Sequence, residues 1–236
     1  MAEKTAEHND KLYVEANTLM ATGDYSGAAS LFTELGNYLD SASKLKEAKN
    51  AIVRHAEEGD TVKFGHYEQD GNTANGAEEI EWIVMEKSEG QMVLFSKYIL
   101  ETMAFDTNKS NSWNNSTLKA WLNSTFMESA FSDEEQAKIQ TTSAGSVYLF
   151  SEEELEKYYG NLSSYSVYSK LVAKLTQQAS FNYGGQSWWW WTRTSDGYHN
   201  AANCVKYVSE GGSIGGNDVT FTGGGVRPAI TISIGE

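Results

Sequence analysis

The chain has 236 residues and carries 18 Lys and Arg against 32 Asp and Glu, a formal charge of −14. Such a charge repels phosphate backbones, and no basic cluster offsets it locally, which argues against nucleic acid and anionic membrane surfaces as partners. A hydrophobic content of 40% with 12% aromatics fits a folded globular protein of one large or two smaller domains, and the single cysteine, Cys204, leaves no intramolecular disulfide to form.

The first segment, Met1 to Asp10, is polar and lacks an apolar h-region, so no signal peptide is expected. No run approaches the about 18 apolar residues of a membrane span. By default this predicts a cytoplasmic protein, with a cell-surface or phage-associated location as the other possibility. Residues 9–56 are helical in pattern. Leu12, Ala16, Leu19 and Met20 recur at helical spacing, Gly23-Asp24 gives a turn, and Ala28, Leu31, Phe32 and Leu35 mark a second helix. Gly36-Asn37 breaks that helix, and a third runs from about Asp40 through Leu45, Ala48 and Ile52. The run from Ala16 to Tyr38 resembles a tetratricopeptide-type helical hairpin. Such units need about three repeats to bury a continuous core, so a prefix packed on another domain or on a partner is favoured over a peptide-binding groove.

Glu57-Glu58-Gly59-Asp60 marks the expected boundary, giving a helical prefix over 1–58 and a second domain over 59–236. Beyond it the period becomes two: strands are predicted at Thr61–Tyr67, Glu79–Met85 and Gln91–Ser96, the last two joined by a hairpin at Ser88-Glu89-Gly90. The loop Gln69–Gly76 reads as a turn cluster without special chemistry. Residues 110–139 return to helix, with caps at Asn115-Ser116 and Ser132-Asp133-Glu134-Glu135. Val147–Phe150 reads as a strand, Ser151 as the start of a helix, and 166–177 as another helix. The C-terminal part is β again, with strands predicted at Trp188–Thr192, Cys204–Val208, Val219–Phe221 and Val226–Ile234. The fold class is therefore α+β.

Residues 59–236 carry a series of landmarks: G-D-x-V-x-F-G at Gly59 to Gly65, I-x-W-x-V at Ile80 to Val84, and S-W-x-x-S-x-L-x-x-W-L-N at Ser112 to Asn123. V-Y-L-F-S-E-E-E at Val147 to Glu154, W-W-x-R-T at Trp190 to Thr194 and G-V-R-P-A at Gly225 to Ala229 follow. In this order they resemble an uncharacterised bacterial domain family. The tail resembles the C-type lectin-like fold shared with formylglycine-generating enzymes and with the variable proteins of diversity-generating retroelements. That resemblance implies a lectin-like domain whose loops bind ligand. It also implies that the domain's ends close together, the strand near Val62–Tyr67 pairing with that near Ala229–Ile234.

Formylglycine-generating chemistry relies on a pair of cysteines, and Cys204 is alone; a lone Cys in an apolar strand is usually inert. Calcium-dependent sugar binding of the animal lectin type needs an E-P-N-like or Q-P-D-like loop, yet the only proline is Pro228. Asn217-Asp218 echoes part of that element but reads better as a turn. His8, His55, His66 and His199 show no metal-ligand spacing, and no Gly-rich loop opens a helix after a strand. No catalytic residue, metal or cofactor is expected.

What remains is Ser187 to Arg227, which opens with Trp188 to Trp191 and holds a polar, Gly-rich middle. A strand sends neighbouring side chains to opposite faces, so two tryptophans should enter the core and two should face a loop or groove. Tryptophan is mostly buried on average, so burial of all four, in the core or under loops, is the outcome favoured over an exposed indole platform. Arg193 and Arg227 read as structural, tying loops to carboxylates or carbonyls. From Ser195 to Gly225 every residue except Lys206 and Glu210 falls within the set reached by randomising the first two bases of an asparagine codon ending in a pyrimidine. Retroelement diversification gives that spectrum, although an ordinary Gly/Ser-rich loop scores well too.

The expected ligand surface is therefore Trp188, Ser195, Asp196, Tyr198, His199, Asn200, Tyr207, Ser213, Asn217, Asp218 and Phe221. Of these, Tyr198, His199, Asn200, Tyr207, Asn217, Asp218 and Phe221 should lie exposed above the tryptophans. Tyr, Ser, Gly and Asn supply contact area and adaptable hydrogen bonds there, as in antibody loops. The ligand would be a protein or a glycan. The alternatives are a degenerate enzyme of the formylglycine-generating type and an intracellular scaffold acting through the helical prefix.

Overall fold

Small side chains let the first three helices approach: Ala16, Ala28 and Ala48 are fully buried around Phe32 and Leu35. These helices are α1 (Ala2–Thr22), α2 (Tyr25–Leu35) and α3 (Ser41–His55). The Asp24 carboxylate caps α2 by accepting from the Gly27 N–H at 2.9 Å. Tyr38 ties the ends together, its hydroxyl donating to Asp10 at 2.6 Å. The structure, a computed structural model, describes residues 2–180, 182–197 and 203–235. The chain forms two compact units, Met1–Glu57 and Glu58–Glu236, and among the described residues no helix is long and apolar enough to cross a membrane.

The second unit is mixed α and β, in keeping with the α+β class. One sheet has the order β1-β2-β3-β12-β5, from β1 (Thr61–Tyr67), β2 (Glu78–Ser88), β3 (Gln91–Ser96), β12 (Ala229–Ser233) and β5 (Val147–Tyr148). The other has the order β10-β9-β8-β11-β4, from β10 (Ile214–Asp218), β9 (Cys204–Val208), β8 (Trp190–Ser195), β11 (Gly225–Val226) and β4 (Glu101–Thr102). A short pair, β6 (Ala173–Lys174) and β7 (Ser187–Trp188), completes the strands.

The expected pairing of first strand with last does not occur. β1 pairs with β2, while β12 sits between β3 and β5, running from Ala229 opposite Phe95 to Ser233 opposite Gln91. The two end strands share a sheet but stand three places apart. The reason is apolar: Ile230 and Ile232 are buried, which suits an interior position, whereas β1 exposes Thr61 and Lys63 and suits an edge.

Between β4 and β6 in sequence lie the helices of this unit, on either side of β5. α4 (Thr117–Trp121) continues through a π-wound turn, Leu122–Phe126, into α5 (Met127–Ala130), and α6 is Asp133–Gln136. This is shorter and more broken than the helix predicted over 110–139. The Ser116 and Ser132 caps form, the latter as a capping box with Glu135. Asn123 explains one landmark, because its amide accepts from the Ser146 and Val147 N–H groups and donates to the Val147 carbonyl. α7 (Glu152–Tyr159) starts at the Ser151 capping box, and α8 (Tyr165–Leu171) stops well before residue 177. The chain is diverted there into β6, whose Ala173 pairs with Trp188.

Two of the chain's crossings between the sheets are short, from β3 to β4 and from β11 to β12. Arg227 stands at both crossings. It is fully buried, its Nε donates to the Ser96 carbonyl at 2.8 Å, and its guanidinium lies over Trp190. Arg193 instead pairs with Glu154, Nη2 to Oε1 at 3.0 Å, and donates to the Leu149 carbonyl at 2.9 Å. The residue that closes the α7 capping box thus also anchors β8.

Candidate functional site

β8, β9 and the turn after β10 bring one aromatic cluster to the surface. Trp190 and Trp191 are fully buried, whereas Trp188 and Trp189 are partly buried. The split is two and two, but the buried pair are neighbours, because the sheet is covered on both faces. Trp190 packs edge-on against Phe95 at 5.7 Å between ring centres, and Trp191 against Phe105 at 6.1 Å. The Trp191 indole N–H donates to the Met103 carbonyl at 2.9 Å.

Trp189 is the hub of the outer cluster. Its ring meets Trp191 at 4.7 Å, Tyr207 at 5.1 Å and Phe221 at 5.6 Å. Trp188 stacks on Tyr183 at 5.3 Å, and its indole N–H donates to the Gly223 carbonyl at 2.9 Å. Phe221 remains 51% exposed and Tyr183 47% exposed. Large aromatic rings normally bury most of their area, and these two stay half-open, Phe221 against Trp189 and Tyr183 against Trp188.

Backbone geometry holds the cluster in place. A Cβ on Gly224 would lie 1.8 Å from the Trp191 indole nitrogen, so only glycine lets that segment close over the ring. The turn after β10 is held by Asp218, whose carboxylate accepts from the Thr220 N–H at 2.8 Å and hydroxyl at 2.6 Å, and from the Asn203 amide at 3.0 Å. The Thr220 hydroxyl, then its backbone N–H, hold the Asp218 carboxyl below the usual carboxylate range.

The expected ligand residues fall into distinct places. Ser195 is exposed at the end of β8, and Trp188, Tyr207 and Phe221 belong to the aromatic cluster. Ser213 is partly buried and closes the β9–β10 turn, its N–H donating to the Ser209 hydroxyl at 3.0 Å. Asn217 and Asp218 are also only partly buried, and both serve the turn, the Asn217 amide oxygen accepting from the Asp218 N–H at 2.9 Å. Asp196 differs from the exposed position a ligand residue would take: it is 3% exposed, with its N–H on the Cys204 carbonyl. Tyr198, His199 and Asn200 lie outside the described residues. Cys204 is partly buried, and burial followed by the Asp218 charge pushes its thiol up, which disfavours the reactive thiolate.

The strand predicted at Val219–Phe221 is a turn, and the strand lies earlier, at Ile214–Asp218. Gly215 and Gly216 had hidden it. Gly215 is there because the Tyr207 ring covers it, with ring atoms 2.8 Å from where a Cβ would stand. Sequence reasoning also missed Tyr183, in a Ser- and Tyr-rich stretch without a period, and left Trp189 out of the ligand set. A second grouping lies in the loop read as plain turn. Carboxylate oxygens of Glu68, Asp70 and Glu78 come within 4.8 Å of one another, while accepting from the N–H groups of Gln69, Gly71 and Asn72.

The family described as "Domain of unknown function (DUF6273)" matches residues 89–234, more than half of the chain. No curated protein and no solved structure matches it.

Proposed function

We propose, from the premise that the chain belongs to the DUF6273 family, that it is a non-catalytic binding protein presenting its C-terminal surface to a ligand. The carrying observation is the outer aromatic cluster: Trp189 holding Tyr207 and Phe221, with Trp188 and Tyr183 alongside. Rigid aromatic rings give large contact area at small entropic cost, and Ser195 and the β9–β10 turn supply short polar groups around them. Phe221 and Trp188 belong to the ligand set in this reading, and the carboxylates of Asp196 and Asp218 belong to its frame.

In this reading the second unit is a C-type lectin-like domain. The landmarks support that view by acting as frame: Asn123 binds Val147, Glu154 binds Arg193, and Arg227 joins the two sheet crossings. The segment 195–222, held between β8 and β11, is the part open to diversification. The helices of the first unit act as a separate module.

The experiment has two arms. Phe221→Ala with Tyr207→Ala should abolish ligand capture while the protein stays folded, and loss of folding would remove the surface. Codons for 195–222 should vary among isolates of the source population, with Trp190, Arg193 and Arg227 constant and a reverse transcriptase gene alongside. Identical codons without such a gene leave a fixed binding loop.

A further inference from the structure

β10 ends the second sheet, and among the described residues no strand pairs with its outer side. Its register with β9 runs from Ile214 opposite Val208 to Asp218 opposite Cys204 without a bulge. Two flanking bonds fix the phase of that ladder. The Ser209 N–H donates to the Ser213 carbonyl at 2.8 Å, and the Val219 N–H to the Asn203 carbonyl at 2.9 Å. Hydrogen-bonded pairs alternate with open ones in an antiparallel ladder, so Gly215 and Asn217 turn their backbone groups towards β9. Ile214 and Gly216 therefore turn N–H and C=O outward. Asp218 also turns outward, but its groups are already used: the N–H donates to the Asn217 side chain at 2.9 Å, and the carbonyl accepts from the Phe221 N–H at 3.1 Å.

Proteins usually blunt such an edge with lysine, proline, a bulge or an inward charge. Ile214-Gly215-Gly216-Asn217 has none of these. The edge also adjoins the aromatic cluster, because the Tyr207 ring lies over Gly215 and touches Trp189, which holds Phe221. A strand laid along β10 would set its backbone on Ile214 and Gly216. The side chain it places beside Gly215 would then meet the Tyr207 ring.

We propose that β10 is the acceptor edge for an extended peptide segment of a partner protein, added as a further strand with an apolar or aromatic side chain seated at Tyr207. Main-chain bonds supply affinity in such strand addition, and pockets for alternate side chains supply selectivity. This rests on the reading of the aromatic surface as the ligand site and names its partner. Charge selects the segment: the chain carries −14, Glu210 is exposed in the turn that leads into β10 and Asp218 closes the strand, so the segment carries Lys or Arg on its flanks. A second copy of this chain would bring the same negative charge to the same edge.

The full chain is screened against a random dodecapeptide library on phage, and in parallel against a glycan array. Selected peptides are synthesised with and without N-methylation at alternate backbone positions, and amide exchange is followed residue by residue. Expected are peptides with alternating β-branched or aromatic residues and basic ends, which slow exchange at Ile214 and Gly216 at least about tenfold. N-methylation of one alternate set should abolish binding, and that of the other set should leave it. Peptides that bind without protecting those two amides, or that bind when methylated at either set, overturn the proposal. So does a dimer of the chain joined through β10. Glycans bound and lost on Phe221→Ala, with no peptide selected, overturn strand addition and keep the binding surface. An empty result in both screens overturns both.

Discussion

The Arg227 guanidinium carbon lies 4.0 Å from the centre of the Phe95 ring, in a place with no access to water. Its polar partners are the Ser96 and Leu171 carbonyls and the Tyr159 hydroxyl, and its charge is balanced by aromatic faces. Burial lowers the pKa of the group to about 10, which leaves it charged at neutral pH. Arg227→Ala would open a cavity and strand the Ser96 carbonyl, so it should destabilise by about 3–5 kcal/mol. Arg227→Lys keeps the charge but loses the planar stack and the fork of donors, and should also destabilise. Urea unfolding of both variants checks this. A loss below about 1 kcal/mol in the alanine variant would contradict the structural role.

Phe221 and Trp191 touch the same ring, Trp189, from opposite sides of the burial scale. Phe221→Ala should cost under about 0.5–1 kcal/mol, whereas Trp191→Ala should cost about 3–5 kcal/mol. Melting curves of the two variants give the comparison, and equal losses would place Phe221 in the core.

Gly224 has no room for a methyl group. Gly224→Ala drives a carbon into the Trp191 indole, which is fixed by its bond to Met103, and should cost about 1–3 kcal/mol or more. Gly223→Ala meets only the edge of the exposed Phe221 ring and should cost less. Thermal unfolding of the pair decides the order.

Glu101 gives a pH signature. Burial raises its pKa above the ordinary value, against the lowering effect of the Thr102 N–H at 3.0 Å and the Tyr67 hydroxyl at 3.2 Å. Between the unfolded value of about 4.3 and the raised folded value, the folded state binds more protons than the unfolded one. Stability from this group therefore grows as pH falls through that window and is lost as pH rises above the folded pKa. Glu101→Gln should flatten that slope, as read from melting temperatures between neutral pH and about pH 4.5. Asp218 has the opposite sign: its contribution is present above about pH 3.9 and is lost on further acidification.

Calcium should shift the melting temperature by less than about 2 °C. In the loop of Glu68, Asp70 and Glu78 the carboxylates already accept backbone N–H groups, and the Asn75 amide donates to Asp70 at 2.8 Å. A larger shift, abolished by Asp70→Asn, would assign that loop to the ion.

Much of the fold could be read where one physical signal dominated. Val62, Ile80, Trp82 and Val84 are buried at period two, and Ser132 and Ser151 cap their helices through Glu135 and Glu154. The reading failed where tertiary packing overruled local pattern. β10 was invisible because Gly215 makes room for Tyr207, a contact across the sheet that no window of sequence contains. α8 ended early because Ala173 pairs with Trp188. Which strands flank β12 depends on the helices inserted after β3, and spacing alone carries no information on that. Within the site, Tyr207 and Phe221 were legible as aromatics in a polar loop, whereas Tyr183 and Trp189 were not. The burial of Asp196 was not legible either, because it is set across the β8–β9 pair, where its N–H meets the Cys204 carbonyl, and not within a window of sequence.

The interior place of β12 ties quality to completeness during synthesis. Of the strands in its sheet β12 is made last, yet it fills the gap between β3 and β5, made long before. Until it arrives, those two strands have no common neighbour, and the sheet waits half-built. A chain cut short anywhere from 195 to 222 lacks both β11 and β12, and with them Arg227 at the sheet crossings. A stop codon within that segment yields a product without the strand that joins β3 to β5. Only a chain that reaches β12 can complete the first sheet.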